Sequence, residues 1–96
     1  MKFRIRLTLN HTRRNGILSG YRPTWSTDSK PDHNSGIIHW PGEGIDKGET
    51  REVFLWPLAP QFWEKVRVND ILKCMEGSRV VGEATVLEIL PDVPVV

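Results

Sequence analysis

The sequence has one cysteine, no apolar run longer than a few residues and a net charge of only +1. A lone cysteine, Cys74, excludes an internal disulfide framework. The chain must therefore hold together by packing, which suits a reducing cytoplasm. A membrane span needs about 20 apolar residues, and none is present, so no membrane partner is expected. The first residues are charged from Lys2 onward and lack the apolar stretch of a signal peptide. A convincing long helical pattern, an internal repeat and a low-complexity segment are missing too. At 96 residues the expectation is one domain over residues 1–90, with residues 91–96 as a tail. Such a chain can bury roughly 60–65% of its unfolded surface, which allows one modest core.

Several chemistries are absent as well. Gly42, Gly44 and Gly48 have the wrong spacing for a dinucleotide loop, and no helical pattern follows to meet a phosphate. Lys47 is followed by Gly48 where a phosphate-cradling loop needs a hydroxyl residue. No nucleotide cofactor is expected. His11, His33 and His39 have no paired spacing with one another or with Cys74, so no metal site is expected. Asp32 and His33 could support Ser35 as a nucleophile, but no elbow motif accompanies them. No catalytic residues are assigned, and an enzyme is not expected.

What is present is strand and turn. Lys2 to Leu9 alternates cleanly, with Phe3, Ile5, Leu7 and Leu9 on one side, the period of a half-buried strand. Asn15-Gly16 marks a turn. An irregular strand is expected from Ile17 to Trp25, with Pro23 confining it to an edge or bulge. A polar loop is expected from Ser26 to Ser35. Further strands are expected at Gly36 to Trp40, Glu49 to Trp56, Ile71 to Met75 and Arg79 to Leu90. A single helical turn is expected at Pro60 to Lys65. In the last strand Val81, Thr85, Leu87 and Ile89 share one parity, and Gly82 marks a bulge or bend. Six short strands with glycine and proline turns argue for a closed antiparallel barrel or a sandwich. Cys74 and most of the aromatics are expected in its core, because little else is large enough to fill it.

The small net charge hides an asymmetry. Residues 1–30 carry seven Lys or Arg against one acid, a local net of +6, and residues 31–96 carry six against eleven, a local net of −5. Such polarity can steer an anionic partner or pair basic strands with acidic ones. The second is expected, because folding mixes the two halves in space.

Two stretches resemble the C-terminal β-barrel domain of elongation factor Tu. Ser19-Gly20-Tyr21-Arg22-Pro23-Thr24-Trp25 matches a serine-glycine-tyrosine-arginine-proline segment of that family, and Asp28 to Gly36 its following polar loop. Glu76-Gly77-Ser78-Arg79-Val80-Val81-Gly82 matches a second segment, and Lys47-Gly48-Glu49 falls between them in the right order. The likeness runs from about Phe3 to Leu90. Thr24 and Ser78 replace a glutamine and a glycine common in the family, and Pro57 to Val68 is divergent. No counterpart of the family's GTPase domain or second barrel is expected within these 96 residues.

The resemblance implies an all-β fold, a small six-stranded antiparallel closed β-barrel. It implies a non-catalytic binding module that holds structured RNA, tRNA-like in form, through backbone and small hydroxyl contacts. The residues carried over for that role are Arg22, Thr24, Ser35, Gly36, Glu76, Gly77 and Arg79. The outward row Lys2, Arg4 and Arg6, with Arg13 and Arg14, would add a basic face. The alternative is a module that docks to a translation-related or other protein, with Phe62 and Trp63 as an exposed aromatic anchor.

Overall fold

The computed structural model describes residues 1–27 and 30–91, with the side chains of all of these except residues 30–32. Its strands are β1 (Lys2–Leu9), β2 (Thr24–Thr27), β3 (Lys30–His39), β4 (Thr50–Pro57), β5 (Ile71–Glu76) and β6 (Arg79–Leu90). They close into a barrel in the order β1-β4-β3-β2-β5-β6, and every neighbouring pair is antiparallel. The fold is therefore the closed six-stranded barrel, and the sandwich is excluded.

Alternation places the core. Phe3, Ile5, Leu7 and Leu9 of β1 are all fully buried, and Val53, Leu55, Ile38, Trp25, Leu72, Cys74, Ala84 and Val86 meet them from the other strands. β1 pairs with β4 on one side, Arg6 facing Glu52, and with β6 on the other, Arg6 facing Thr85. Closure leaves no unpaired edge, which is how a small all-β chain satisfies its backbone.

Strand directions fix the two ends. In a fully antiparallel ring of this order, the connections after β1, β3 and β5 share one end, here the Gly77 end. Those after β2 and β4 share the other, here the Trp63 end. β1 and β2 stand three places apart in the ring, as do β4 and β5. Each of these two connections must therefore cross its barrel end, and each carries an apolar plug. The first brings Ile17 into a reciprocal bridge with Ile45, the two amides donating to each other's carbonyls at 2.8 and 2.9 Å. The second brings Trp63 onto Phe3, with ring centroids 5.7 Å apart, and buries Val66 beside it.

The expected strand over Ile17 to Trp25 is in fact this first crossing. Only Thr24–Thr27 forms a strand, although Gly20, Tyr21 and Pro23 already hydrogen-bond to Ile38 and Gly36 of β3. The expected polar loop from Ser26 to Ser35 is a hairpin instead, since β3 begins at Lys30 and pairs with β2. Ring closure needs β2 bridged between β3 and β5, and tertiary pairing overrides composition there. Asp28 of that loop and the tail from residue 92 lie outside the described residues. The helical turn falls at Pro60–Trp63 as a 3-10 turn.

The bulge expected at Gly82 is present, and a second one follows it in β6. Against β5 the register passes from Gly82 to Val80, leaving Val81 unopposed beside the glycine. Against β1 it passes from Val86 to Glu88, leaving Leu87 unopposed. These bulges re-phase the strand, so Val81, Ala84 and Val86 are buried while Thr85 and Leu87 are only half-buried.

Gly36 is a packing residue. The Trp25 indole lies against it and donates from Nε1 to the Gly36 carbonyl at 3.1 Å. A methyl group at this position would sit 2.6 Å from Leu55 Cδ1 and 3.2 Å from the Trp25 ring. Gly36→Ala is expected to destabilise the barrel by about 1–3 kcal/mol through overpacking, read as a lower urea midpoint. A midpoint that does not move would contradict this packing.

Candidate nucleic-acid interface

The Ser19–Trp25 segment runs along β3 at the Gly77 end. The Ser19 hydroxyl accepts the Trp40 backbone N–H at 3.1 Å, and the Pro23 carbonyl accepts Gly36 N–H at 3.2 Å. This delivers Thr24 opposite both Ser35 of β3 and Met75 of β5, with its hydroxyl donating to the Met75 carbonyl at 3.3 Å. Glu76 pairs with Arg79 across a tight turn. Gly77 there has φ +61, a left-handed conformation that glycine adopts without a Cβ clash. Arg22, Thr24, Ser35, Glu76, Gly77 and Arg79 thus gather at one barrel end, on adjoining strands and the connections beside them. Gly36 is adjacent in sequence but points inward, and its N–H and carbonyl are both used within the barrel. It supports this site without offering a backbone contact.

Arg13 holds the end together. From the first crossing its Nε and Nη2 donate to the two oxygens of Glu76 at 3.1 and 3.0 Å. Its Nη1 donates to the carbonyls of Gly16, at 3.0 Å, and Asn15. The guanidinium lies 5.4 Å from the centre of the Tyr21 ring. Four of its five donors are spent, and its side chain is only 16% exposed. It is a structural clamp and not part of a free basic face. The Arg13 hydrogen bonds lower the Glu76 carboxyl below the usual range and raise Arg13 in turn. Burial, with the Glu76 charge adding to it, pushes the Cys74 thiol up to about 12. Burial also raises the Tyr21 phenol, whose hydroxyl has no hydrogen bond of full geometry. With Glu76 neutralised by Arg13, the exposed Arg14, Arg22 and Arg79 make no ion pair among the described residues.

The row on β1 is different. β1 stands across the ring from β2, so Lys2, Arg4 and Arg6 face away from Arg22 and Thr24. Arg4 is held between Glu52 at 2.9 Å and Glu88 at 3.3 Å. Lys2 lies over the Phe54 and Trp56 rings at 5.0 and 5.7 Å, and Arg6 stands opposite Glu52. On the next seam Lys73 meets Glu83 at 3.7 Å. The basic residues do not form one band. Of the bases in the first thirty residues, Arg4 and Arg13 make ion pairs with acids of the second half, so the two charged halves are paired only in part, each exposed pair contributing about 0–1 kcal/mol.

Trp63 is not an exposed anchor. It is 3% exposed and caps the core, whereas its neighbour Phe62 is 64% exposed. The turn after Pro60 sends consecutive rings in opposite directions. Beside them lies a cleft of about 320 Å³ between this segment and β2, β3 and β5. The Trp63 indole N–H is buried without a partner, unlike that of Trp40, which donates to the Glu43 carbonyl at 2.6 Å. No sequence motif marks this cleft, and the only signal is the aromatic pair after a proline.

Among the described residues no cluster of His, Cys, Asp and Glu could hold a metal ion, and no helix is long and apolar enough to cross a membrane. No protein-family model and no curated protein matches the chain.

The depressed Glu76 carboxyl makes stability depend on pH. A carboxyl with a lowered folded pKa stabilises fully above its unfolded value, roughly pH 4.3. That contribution is lost as pH falls through the folded value. Glu76→Gln is expected to cost on the order of 1 kcal/mol at pH 7, a figure kept low because the carboxylate is partly solvent-screened. It should also flatten the acid limb of urea stability between pH 5 and 2. A variant with the wild-type pH profile would show that the clamp contributes nothing.

Proposed function

We propose that this protein is a non-catalytic module, akin to the C-terminal barrel of elongation factor Tu, that holds structured RNA of tRNA-like form at the Gly77 end of its barrel. The observation that carries the reading is the convergence of Arg22, Thr24, Ser35, Gly77 and Arg79, on adjoining strands and the connections beside them, next to an already neutralised Glu76. Arginine presents a planar fork of donors suited to phosphate. Arg14, Arg22 and Arg79 supply three such forks, and the Thr24 and Ser35 hydroxyls add short polar contacts. Contacts of this kind position an RNA backbone without reading its bases. A buried, weakly acidic thiol at Cys74 suits work in the reducing cytoplasm.

A second reading, docking of a protein partner, is favoured by a different surface. Trp56 is 48% exposed on the outer face of β4, with its ring 5.1 Å from that of His39. A pull-down whose dominant protein is lost on Trp56→Ala would carry that reading.

For the first reading, fluorescence anisotropy with bulk tRNA is the test. Three phosphate contacts predict a loss of roughly 40-fold in affinity between 50 and 200 mM salt. Arg22→Ala and Arg79→Ala are each expected to reduce the logarithmic salt slope by about 1, whereas Arg6→Ala, across the ring, should leave it unchanged. Binding that ignores salt, or that responds to Arg6 and not to Arg22 and Arg79, would overturn the assignment.

A further inference from the structure

The cleft at the Trp63 end has no role in gripping a phosphate backbone, yet its chemistry is specific. Trp25, Phe62 and Trp63 line it, and Phe62 keeps most of its ring in solvent. Two amide side chains, Asn34 and Gln61, share the lining. Neither makes a side-chain hydrogen bond among the described residues, and an amide offers both donor and acceptor. The Trp63 indole N–H is a third unspent group, and a buried donor without a partner is costly to the folded state. Glu64 and Asp70 bring carboxylates to the lining, Asp70 already accepting the Arg67 N–H at 2.9 Å, and the one cation among the described lining residues is Lys65. It is exposed and makes no ion pair among the described residues.

Aromatic surface for a flat ring, paired donors and acceptors for its edge, and a cation nearby describe a site for a nucleobase that carries a phosphate. A volume of about 320 Å³ falls at the lower end of ligand sites and admits one such unit. The cleft is also continuous with the proposed backbone-gripping surface. Its Ser26 wall follows Thr24 by two residues, about 7 Å along the same outer face of β2.

We infer that this cleft takes one unpaired nucleobase of the RNA, its edge meeting Asn34, Gln61 and the Trp63 N–H and its phosphate meeting Lys65. This rests on the reading of the barrel as an RNA-holding module and adds to it the part of the RNA that is recognised, a splayed base next to a structured stem.

The test uses the ¹⁵N-labelled full chain titrated with adenosine and cytidine monophosphates, observed at its four tryptophan indole N–H signals. The Trp63 signal is expected to move downfield and saturate in the millimolar range, while that of Trp40, already bonded to Glu43, stays in place. Phe62→Ala, a change at an exposed ring, should weaken binding about fivefold or more. Trp63→Phe, which keeps a ring and removes the donor, should also weaken it. A Trp63 signal unmoved by either nucleotide, or moved equally by phenyl phosphate, would overturn the inference. If the nucleotides fail while tRNA binding still responds to Arg22 and Arg79, the cleft assignment alone falls. If the nucleotides bind while tRNA does not, the cleft stands and the RNA-holding reading falls.

Discussion

The structure depends on one geometric constraint, that two chain connections must cross the open ends of the ring. The order β1-β4-β3-β2-β5-β6 puts β1 across from β2 and β4 across from β5. A barrel of six strands encloses little volume, and an uncapped end would wet much of it. Each crossing therefore carries apolar groups inward, Ile17 at one end and Trp63 with Val66 at the other. Each must then be fastened, and the fastenings determine what remains on the surface. At the Gly77 end the fastener is Arg13, which spends its own charge and that of Glu76 and leaves the neighbouring arginines uncompensated. At the Trp63 end the fastener is an aromatic plug, which leaves a cleft under its rim.

The same constraint explains why charge is distributed as it is. Residues on the strands meet partners at fixed register, so the acids of β4 and β6 lie within reach of the bases of β1, and Arg4 finds one on each side. Residues on the crossing segment have no such register. Arg14 and Arg22 emerge there exposed, and Arg79 emerges at a hairpin. Three arginines without an ion pair among the described residues thus gather at the Gly77 end, whereas Arg4 of the basic-looking first strand is paired on both sides. A protein that sorts its arginines this way separates those that hold the fold from those that can meet an anion.

Much of this was legible from the residues. β1 and β6 were readable to their ends, because β1 shows one face to the core with no interruption and β6 is bracketed by the Glu76-Gly77-Ser78 turn and Pro91. The hairpin of β2 and β3 was not, since its polar composition signals a loop and only ring closure demands strands there. The inward set of β6 was readable in part, since Gly82 marks the first bulge, whereas the one at Leu87 arises from the register against β1 and nothing in the strand itself encodes it. Of the site, the two motif segments that carry the resemblance lie close together, with Arg22, Thr24, Ser35, Glu76, Gly77 and Arg79 on β2, β3, β5 and β6 or the connections beside them. Gly36 proved to face the Trp25 ring, and Trp63 proved to be a plug. In both cases what the residue packs against is a long-range partner, Leu55 or Phe3, that lies far away in sequence. Arg13 and Arg14 look alike as neighbours, and only the position of Glu76 separates clamp from free cation.

The central claim, that the crossings are capping parts of the core and not loose surface loops, can be tested by native-state hydrogen exchange. The amides of Ile17 and Ile45, bonded to each other across the Gly77 end, and of Val66, bonded to the Trp63 carbonyl, should exchange nearly as slowly as those of β1. Exchange of these three at the rate of open loops, while β1 remains protected, would contradict the account.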